Sequence, residues 1–199
     1  MSLIHTQEYP KKDFSHLKGL TGISDKELEV HFGLYGGYVT FTNKTNQLLA
    51  EMAKNGEAGT PKWAELNRRA GWEYNGMRLH EYYFENLHPG GKGAPGAKLT
   101  AGLETYYGGV DKWKEDFYSV ATMRGIGWVI LYYDRMTGMF SNHWITEHDM
   151  GHPAGFQPVL VLDMWEHAFM VDYVPAEKKK YIDAFFANLN WEAVEKRLG

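Results

Sequence analysis

The chain has 199 residues, a formal net charge of −4, 44% hydrophobic residues and 15% aromatic residues, which is typical of a globular protein and excludes a disordered one. The mixed charges exclude a basic surface for nucleic acid, and no stretch reaches the ~18 consecutive apolar residues that span a bilayer. The sequence contains no cysteine, which excludes disulfides, zinc–thiolate sites, iron–sulfur clusters and thiol catalysis, so a metal ion would need nitrogen and oxygen ligands. The first ten residues lack the basic start and apolar run of a secretory signal, so we expect a cytoplasmic protein.

The N-terminal half of the sequence predicts two helices. Ser24 and Glu27 form a capping-box pattern, so a helix is expected to begin near Asp25 and to continue through Met52. Two adjacent glycines at 36 and 37 each cost roughly 1 kcal/mol relative to alanine inside a helix, so we expect close packing there. After a break at 55–59, a second helix is expected from about Pro61, with candidate buried positions at Trp63, Leu66, Trp72, Leu79, Tyr83 and Leu87.

A glycine- and proline-rich segment separates the two halves of the chain. Residues 88–96 contain four glycines and two prolines, a composition that is typical of a linker. We therefore predict an N-terminal domain over residues 1–90 and a C-terminal domain over residues 91–199.

The C-terminal half changes from a helical to a strand pattern and back. Helices are predicted at 99–107 and 110–123, strands at 127–133, 139–146 and 159–162, and helices again at 177–188 and 191–198. The sequence thus predicts an α+β fold, in which a helical half precedes an α/β half with a three-stranded antiparallel sheet.

Four polar side chains lie at positions where apolar residues are expected. Asp163 and His167 follow the third predicted strand and could bind one ion together, or they could be a helix-start aspartate and a buried histidine. His31 and His80 lie on the apolar faces of the two N-terminal helices, where a histidine is more often a hydrogen-bonded core residue than a ligand. Three nitrogen donors and one oxygen donor suit iron or manganese as well as zinc, and the spacing does not choose among these metals.

Several segments resemble the iron/manganese superoxide dismutase family. Asp163–Ala168, DMWEHA, is similar to the family signature Asp-x-Trp-Glu-His-Ala. Residues 29–39 (EVHFGLYGGYV) and 79–84 (LHEYYF) resemble the motifs of the first two helices, residues 125–128 match Gly-x-Gly-Trp, and residues 181–191 resemble the C-terminal helix. The similar segments have the same order and spacing as in the family.

The resemblance implies a helical hairpin joined to an α/β domain, with two metal ligands from each. It implies one iron or manganese ion per subunit, bound by His31, His80, Asp163 and His167. Gly76 is similar to the manganese members whereas His148 departs from the common pattern, and on balance we expect iron. The implied protein is an antioxidant enzyme that converts superoxide to O₂ and hydrogen peroxide, as a homodimer or a tetramer, with neither nucleic acid nor membrane as a partner.

Two further residues are candidate catalytic residues by the same resemblance. Tyr38 corresponds to the family's gateway tyrosine, and its distance of seven residues from His31 leaves it about 20° from that ligand around a helix. His148 stands where the family usually has a glutamine that bonds the solvent ligand of the metal ion. The alternative is a surface histidine of its loop, and we favour the role beside the metal ion.

The resemblance also predicts the surroundings of the site. Tyr83, Trp128 and Trp165 are expected to line the pocket, and as plain core residues they would look the same. Glu166 corresponds to a glutamate that bonds His167 of the partner subunit, which implies a dimer in which each site is completed by its neighbour.

Some positions depart from the family pattern. Tyr35 takes the place of a histidine that bonds a tyrosine across the dimer interface, and the place of that tyrosine is taken by Met170, which cannot form the bond. Lys178 lies near the place of a funnel arginine, but it belongs to a lysine run and is expected to be solvated. His143 and His152 have no assigned role.

Three alternatives stay open at this point. A dismutase-like protein could bind the metal ion and turn over slowly, given the departures at Tyr35, Met170 and His148. A mononuclear oxygenase with two histidines and one carboxylate is the second, although His167 would fill a position that O₂ needs. A helical domain without metal is the third, and elemental analysis of the purified protein separates it from the others.

Overall fold

The computed structural model describes residues 7–199. His5 and part of the N-terminal segment that lacks a secretory pattern therefore lie outside the described residues. Within the described chain, none of the helices has the length and hydropathy needed to cross a membrane.

Two long helices pack side by side at the N-terminal end of the chain. They are α1 (Asp25–Lys54) and α2 (Pro61–Glu85). They run in opposite directions, because Tyr35 of α1 bonds Glu81 of α2, whereas Tyr38, further along α1, packs on Trp72, nearer the start of α2. The predicted helical hairpin is confirmed, and so is its start, where the Ser24 side chain accepts a hydrogen bond from the Glu27 backbone N–H.

Only part of the expected packing of these helices is found. At Gly36 an added Cβ would lie 2.9 Å from the Lys11 Nζ, whereas nothing lies within 4 Å of the corresponding position at Gly37. Because that Nζ is the far end of a flexible lysine side chain, which can move aside, close packing requires glycine at neither position. The buried residues of α2 begin at Glu73, so Trp63, Leu66 and Trp72 are only partly buried, because the first half of the helix extends beyond the rest of the fold.

The C-terminal half combines α-helices with a small sheet. Its elements are α3 (Ala97–Tyr107), α4 (Val110–Ala121), β1 (Trp128–Tyr133), β2 (Phe140–Ile145), β3 (Gln157–Asp163), α5 (Lys178–Ala187) and α6 (Trp191–Lys196). The strands are antiparallel in the order β2-β1-β3, which confirms the predicted sheet. β3 begins two residues before the predicted 159–162 and ends one residue after it, and Pro158 is tolerated there because β3 is an edge strand.

The segment 88–96 lies between α2 and α3, but it is held to the end of the chain. The backbone N–H of His88 donates to the Asn188 carbonyl, and that of Lys92 donates to the Leu189 carbonyl. One hydrophobic cluster includes side chains of α1, α2 and all three strands, so the two halves share a core. The division into domains at residues 90 and 91 stays a prediction.

Candidate metal centre

The side chains of His31, His80, Asp163 and His167 meet where α1, α2 and β3 come together. One donor atom from each residue lies within 4.8 Å of the donor atoms of the others. Asp163 Oδ2 lies 3.1 Å from His31 Nε2, 3.2 Å from His167 Nε2 and 3.6 Å from His80 Nε2. The first three residues are buried, and the His167 side chain is 18% exposed. Three ring nitrogens and one carboxylate oxygen thus face one point.

Local structure aims two of these donors. His80 Nδ1 lies 2.6 Å from the Gly76 carbonyl oxygen one helical turn earlier, so Nδ1 carries the hydrogen and Nε2 presents its lone pair to the cluster. Asp163 ends β3, and its Oδ1 accepts a hydrogen bond from the Trp165 N–H at 2.8 Å, which leaves Oδ2 for the cluster. The chain then turns into a short 3₁₀ helix over Glu166–Ala168, and this turn brings His167 back over Asp163.

The charges of the cluster suit a cation. Burial lowers the pKa of His31, and lowers that of His80 well below its usual value, so both rings are neutral. Burial alone would raise the pKa of Asp163, but His167 and His31 hold it well below its usual range. Burial opposes protonation of His167, yet Asp163 outweighs it and raises the His167 pKa. The carboxylate therefore stays anionic, and a cation would take the place of the proton that it shares with His167.

Tyr38 and His148 form a hydrogen-bonded pair beside this cluster. Tyr38 is partly buried, and its ring centre lies 5.1 Å from that of His80. His148 is buried, its Nδ1 accepts a hydrogen bond from Trp128 Nε1 at 3.1 Å, and its Nε2 lies 2.8 Å from the Tyr38 hydroxyl. Since an indole N–H only donates, the hydrogen of a neutral His148 lies on Nε2 and is donated to Tyr38.

The ionisation of this pair follows from burial. Burial lowers the pKa of His148 to about 4 and raises that of Tyr38 to about 12. Both groups are therefore neutral at physiological pH. The Tyr38 hydroxyl accepts from His148, so its own hydrogen stays available to another acceptor.

Gly76 explains why the hydrogen-bonding side chain comes from the loop after β2 and not from α2. A Cβ at this position would lie 2.6 Å from Cδ1 of the Tyr38 ring. Any larger side chain would displace Tyr38, so the ring of the tyrosine fills the space that a side chain of α2 would otherwise need.

Aromatic rings enclose the cluster. Tyr83 lies 5.0 Å from the His31 ring, Trp128 lies 5.0 Å from His80, and Trp165 stacks on His167 at 5.9 Å between ring centres. All three pocket residues named from the sequence thus border the cluster in the structure. Sequence reasoning missed Tyr181, whose hydroxyl lies 2.8 Å from the Asp163 carbonyl oxygen.

Trp72 was interpreted only as a core position. The centre of the Trp72 ring lies 4.4 Å from that of His148, and Cζ of Arg69 lies over the Trp72 ring, 3.7 Å from its centre. The spacing of apolar residues along α2 does not predict this contact, because His148 reaches Trp72 from a different part of the chain.

The structure does not place Tyr35 at an interface. Its side chain is fully buried, and its hydroxyl donates to Glu81 Oε1 and accepts from the Lys12 backbone N–H, each at 3.0 Å. The buried Glu81 carboxylate also pairs with Lys12 and Arg78, so the tyrosine joins a polar network inside the helical hairpin. Met170 is 47% exposed, so the two residues do not meet within the chain.

Glu166 and Lys178 lie on the open side of the centre. Glu166 is exposed and precedes His167 in the chain. Glu166 and Lys178 line one surface pocket, together with Met123, Gly125 and Phe169, among others. Lys178 is partly buried and its Nζ lies 3.5 Å from the Met123 carbonyl oxygen and 3.4 Å from that of Gly125. Lys178 thus reaches the carbonyl oxygens after α4 while part of its side chain stays exposed, and its solvation stays a prediction.

A second buried carboxyl, Glu27, was not singled out from the sequence as a site residue. It is 1% exposed, its Oε2 accepts from the Val171 N–H at 2.9 Å, and its Oε1 has no partner. It does not return to the Ser24 N–H as a capping box would, because that group donates to Asp172. Glu27 instead ties the start of α1 to the segment after His167.

We expect Glu27→Gln to change how the stability of the metal-free protein depends on pH. Burial raises the pKa of Glu27 to about 7 from an ordinary value of 4.5. The folded protein therefore holds a proton that the unfolded chain releases, and stability falls as pH rises from about 4.5 to about 7. The variant lacks this loss. Its free energy of unfolding minus that of wild type should therefore be up to about 3 kcal/mol larger at pH 8 than at pH 5. Urea unfolding at both pH values measures it.

Glu29→Gln is the matched control for this prediction, because Glu29 lies in the same helical turn and is exposed. Its free energy of unfolding should differ from that of wild type by the same amount at both pH values. A Glu27→Gln protein whose difference from wild type is independent of pH would contradict the prediction.

Comparison with known proteins gives a consistent family. Residues 95–197 match the family model of iron/manganese superoxide dismutases, C-terminal domain. An iron superoxide dismutase of Aquifex pyrophilus is 36% identical over 191 residues, covering 94% of this chain and 89% of the relative. One from Cupriavidus metallidurans is 37% identical, covering 89% of each chain. A manganese superoxide dismutase of Haloarcula marismortui is 34% identical, covering 85% of this chain and 82% of the relative.

Proposed function

We propose, because this chain belongs to the iron/manganese superoxide dismutase family of oxidoreductases, that it converts superoxide to O₂ and hydrogen peroxide at one iron or manganese ion per subunit. The observation that carries the proposal is the meeting of three ring nitrogens and one carboxylate oxygen at a single buried point. His31, His80, Asp163 and His167 would hold the ion. We infer iron as the native metal, since relatives named as iron enzymes cover up to 94% of this chain.

The protein surroundings support reaction with a small anion. A bound iron or manganese ion would supply one-electron exchange with superoxide. Asp163 is the one anion among the four ligands, because burial keeps His31 and His80 neutral. One carboxylate leaves a divalent or trivalent site with net positive charge, which attracts superoxide. The surrounding rings exclude bulk water and leave access on the side where His167 is exposed.

Tyr38 is the residue that we propose to handle protons. Two superoxide ions take up two protons when they become O₂ and hydrogen peroxide. The Tyr38 hydroxyl keeps its proton at neutral pH because the pKa of Tyr38 is raised to about 12. The hydroxyl oxygen is held in place by His148 Nε2, which lies 2.8 Å away. The proton on Oη is therefore held next to the cluster, ready to be donated to a bound anion.

We also propose that the enzyme is a homodimer. Met123, Met170, Val171 and Val174 are 47–57% exposed on the side of Glu166 and His167, and an apolar surface of this kind fits a second copy of the chain. A tetramer would need a further surface, and sedimentation analysis separates the two states. A cytoplasmic location and an antioxidant role are part of the proposal and are tested by cell fractionation and by the superoxide sensitivity of a deletion strain.

Reconstitution tests the function directly. The protein is stripped of metal, reloaded separately with iron, manganese and zinc, and assayed for metal content and for superoxide removal. We expect about one ion per chain in each case, with rapid removal by the iron form and none by the zinc form, since zinc exchanges no electrons. A protein that retains none of these metals would refute the proposal.

A slow dismutase is the second candidate, and the position of Tyr35 favours it. The tyrosine bonds Glu81 inside the hairpin, so neither it nor Met170 can form the interface bond of the family. Iron-loaded protein with about one ion per chain and negligible superoxide removal would select this candidate over the first.

A further inference from the structure

The loop that carries His148 has a strained backbone. It joins β2 to β3, and Thr146 and Met150 form a bridge across the turn. Glu147 has a φ of 58°, and it is the single non-glycine residue with positive φ in residues 7–199. Such a conformation costs about 1–2 kcal/mol and persists only where surrounding contacts impose it. The loop therefore needs contacts that fix it in place.

Two hydrogen bonds through His152 tie this loop to β1. The Tyr132 hydroxyl lies 2.6 Å from His152 Nδ1, and His152 Nε2 lies 2.7 Å from the His148 carbonyl oxygen. Tyr132 is 1% exposed, and burial raises the pKa of its hydroxyl, so it stays protonated and donates to Nδ1. His152 then carries its hydrogen on Nε2 and donates it to the His148 carbonyl.

We propose that His152 is a positioning residue that fixes the backbone of His148 and thereby the direction of its imidazole toward Tyr38. The two histidines are linked through the backbone, so His152 acts without touching the metal ligands or Tyr38. The bond that it protects is the 2.8 Å contact from His148 Nε2 to the Tyr38 hydroxyl. A displacement of about 1 Å would remove that bond, since such hydrogen bonds weaken steeply beyond ~3.2 Å. Its catalytic consequence rests on the proposed function.

His143 provides the matched control. Like His152 it is partly buried and packs on Tyr132, with 5.4 Å between ring centres. Its Nε2 lies 2.9 Å from the Ser141 hydroxyl on the same strand, and none of the contacts found in residues 7–199 links it to His148. Removing His143 should therefore disturb the same tyrosine without removing either of the two hydrogen bonds through His152.

The test compares His152→Ala, His152→Gln, Tyr132→Phe and His143→Ala in the full chain. The first readout is the hydrogen-exchange rate of His148 Nε2–H, measured by NMR on ¹⁵N-histidine-labelled, zinc-loaded protein, which is diamagnetic. The second is kcat for superoxide with the iron-loaded protein. His152→Gln keeps an N–H donor for the His148 carbonyl and loses the bond to Tyr132, so it separates the two contacts.

We expect His152→Ala to raise the exchange rate and lower kcat, each by about tenfold, because a misplacement of ~1 Å is costly in catalysis. In His152→Gln, the exchange rate and kcat should both return most of the way to the wild-type values. In Tyr132→Phe, both should lie between the values of wild type and His152→Ala. His143→Ala should match wild type in both. If His152→Ala does not fold, Tyr132→Phe and His152→Gln decide the question with the same readouts.

A wild-type exchange rate in His152→Ala, or in Tyr132→Phe where His152→Ala does not fold, would overturn the proposal, whatever happens to kcat. If the wild-type protein has no dismutase activity, the proposed function fails separately, and the exchange rate of His148 still decides whether His152 positions it.

Discussion

Asp163→Asn is expected to lower the affinity for iron or manganese by more than about 100-fold and to remove superoxide dismutation with it. A substitution that only supports a ligand already costs 10–100-fold in affinity, and Asp163 is itself the one anionic donor of the cluster. Asparagine has almost the same shape, and its oxygen can still accept the Trp165 N–H that Asp163 Oδ1 accepts at 2.8 Å. The turn after β3 is therefore expected to form, without the negative charge that holds a cation among three neutral rings.

Elemental analysis and a superoxide assay of the purified variant measure this effect, and Asp134→Asn is the control. Asp134 is also buried, and its carboxylate accepts the Met136 N–H and the Thr137 hydroxyl in the turn after β1, away from the cluster. The control should retain about one ion per chain and wild-type activity. Full metal content in Asp163→Asn would show that the ion binds elsewhere.

The sequence predicted those parts of the molecule in which local pattern and tertiary structure agree. The cap at Ser24 sets the start of α1 because a hydroxyl there satisfies a free backbone N–H whatever packs around it. The four donors could be named because a resemblance joined segments that are far apart in the chain. On their own, His31 and His80 were indistinguishable from core histidines, since no local period shows that two helices bring their rings within 5.0 Å of each other.

The missed features are contacts between distant segments. Glu27 was interpreted as half of a capping box, but Asp172 takes its N–H partner and burial turns the carboxyl toward Val171. Tyr35 was compared with an interface histidine, but the buried Glu81 takes its hydroxyl. In both cases a contact with a distant segment decides the conformation, through a buried carboxylate that accepts a hydrogen bond. Such competition is not visible in the spacing of residues along the chain.

Arg197→Met is expected to destabilise the protein by about 2–5 kcal/mol, since each buried acceptor that loses its donor costs about 1–3 kcal/mol. The side chain is 9% exposed. Its guanidinium donates to the carbonyl oxygens of Val159 at 2.9 Å and Tyr82 at 3.1 Å, to Asn86, and to Glu85 at 3.2 Å. Methionine fills similar space but donates no hydrogen bond, so the Val159 carbonyl and Asn86 Oδ1 lose this donor. Glu85 keeps its bond to Lys12, and the Tyr82 carbonyl keeps the Asn86 N–H.

This effect should appear as a fall in Tm of about 10 °C, since 1 kcal/mol corresponds to ~2–4 °C in a chain of this size. Lys196→Met, at the exposed neighbouring position, should leave Tm nearly unchanged. Arg197→Lys should recover only part of the loss, because one ammonium group cannot match the planar fork that reaches acceptors on two elements. A Tm unchanged in Arg197→Met would mean that the shared hydrophobic core, and not this arginine, holds the two halves together.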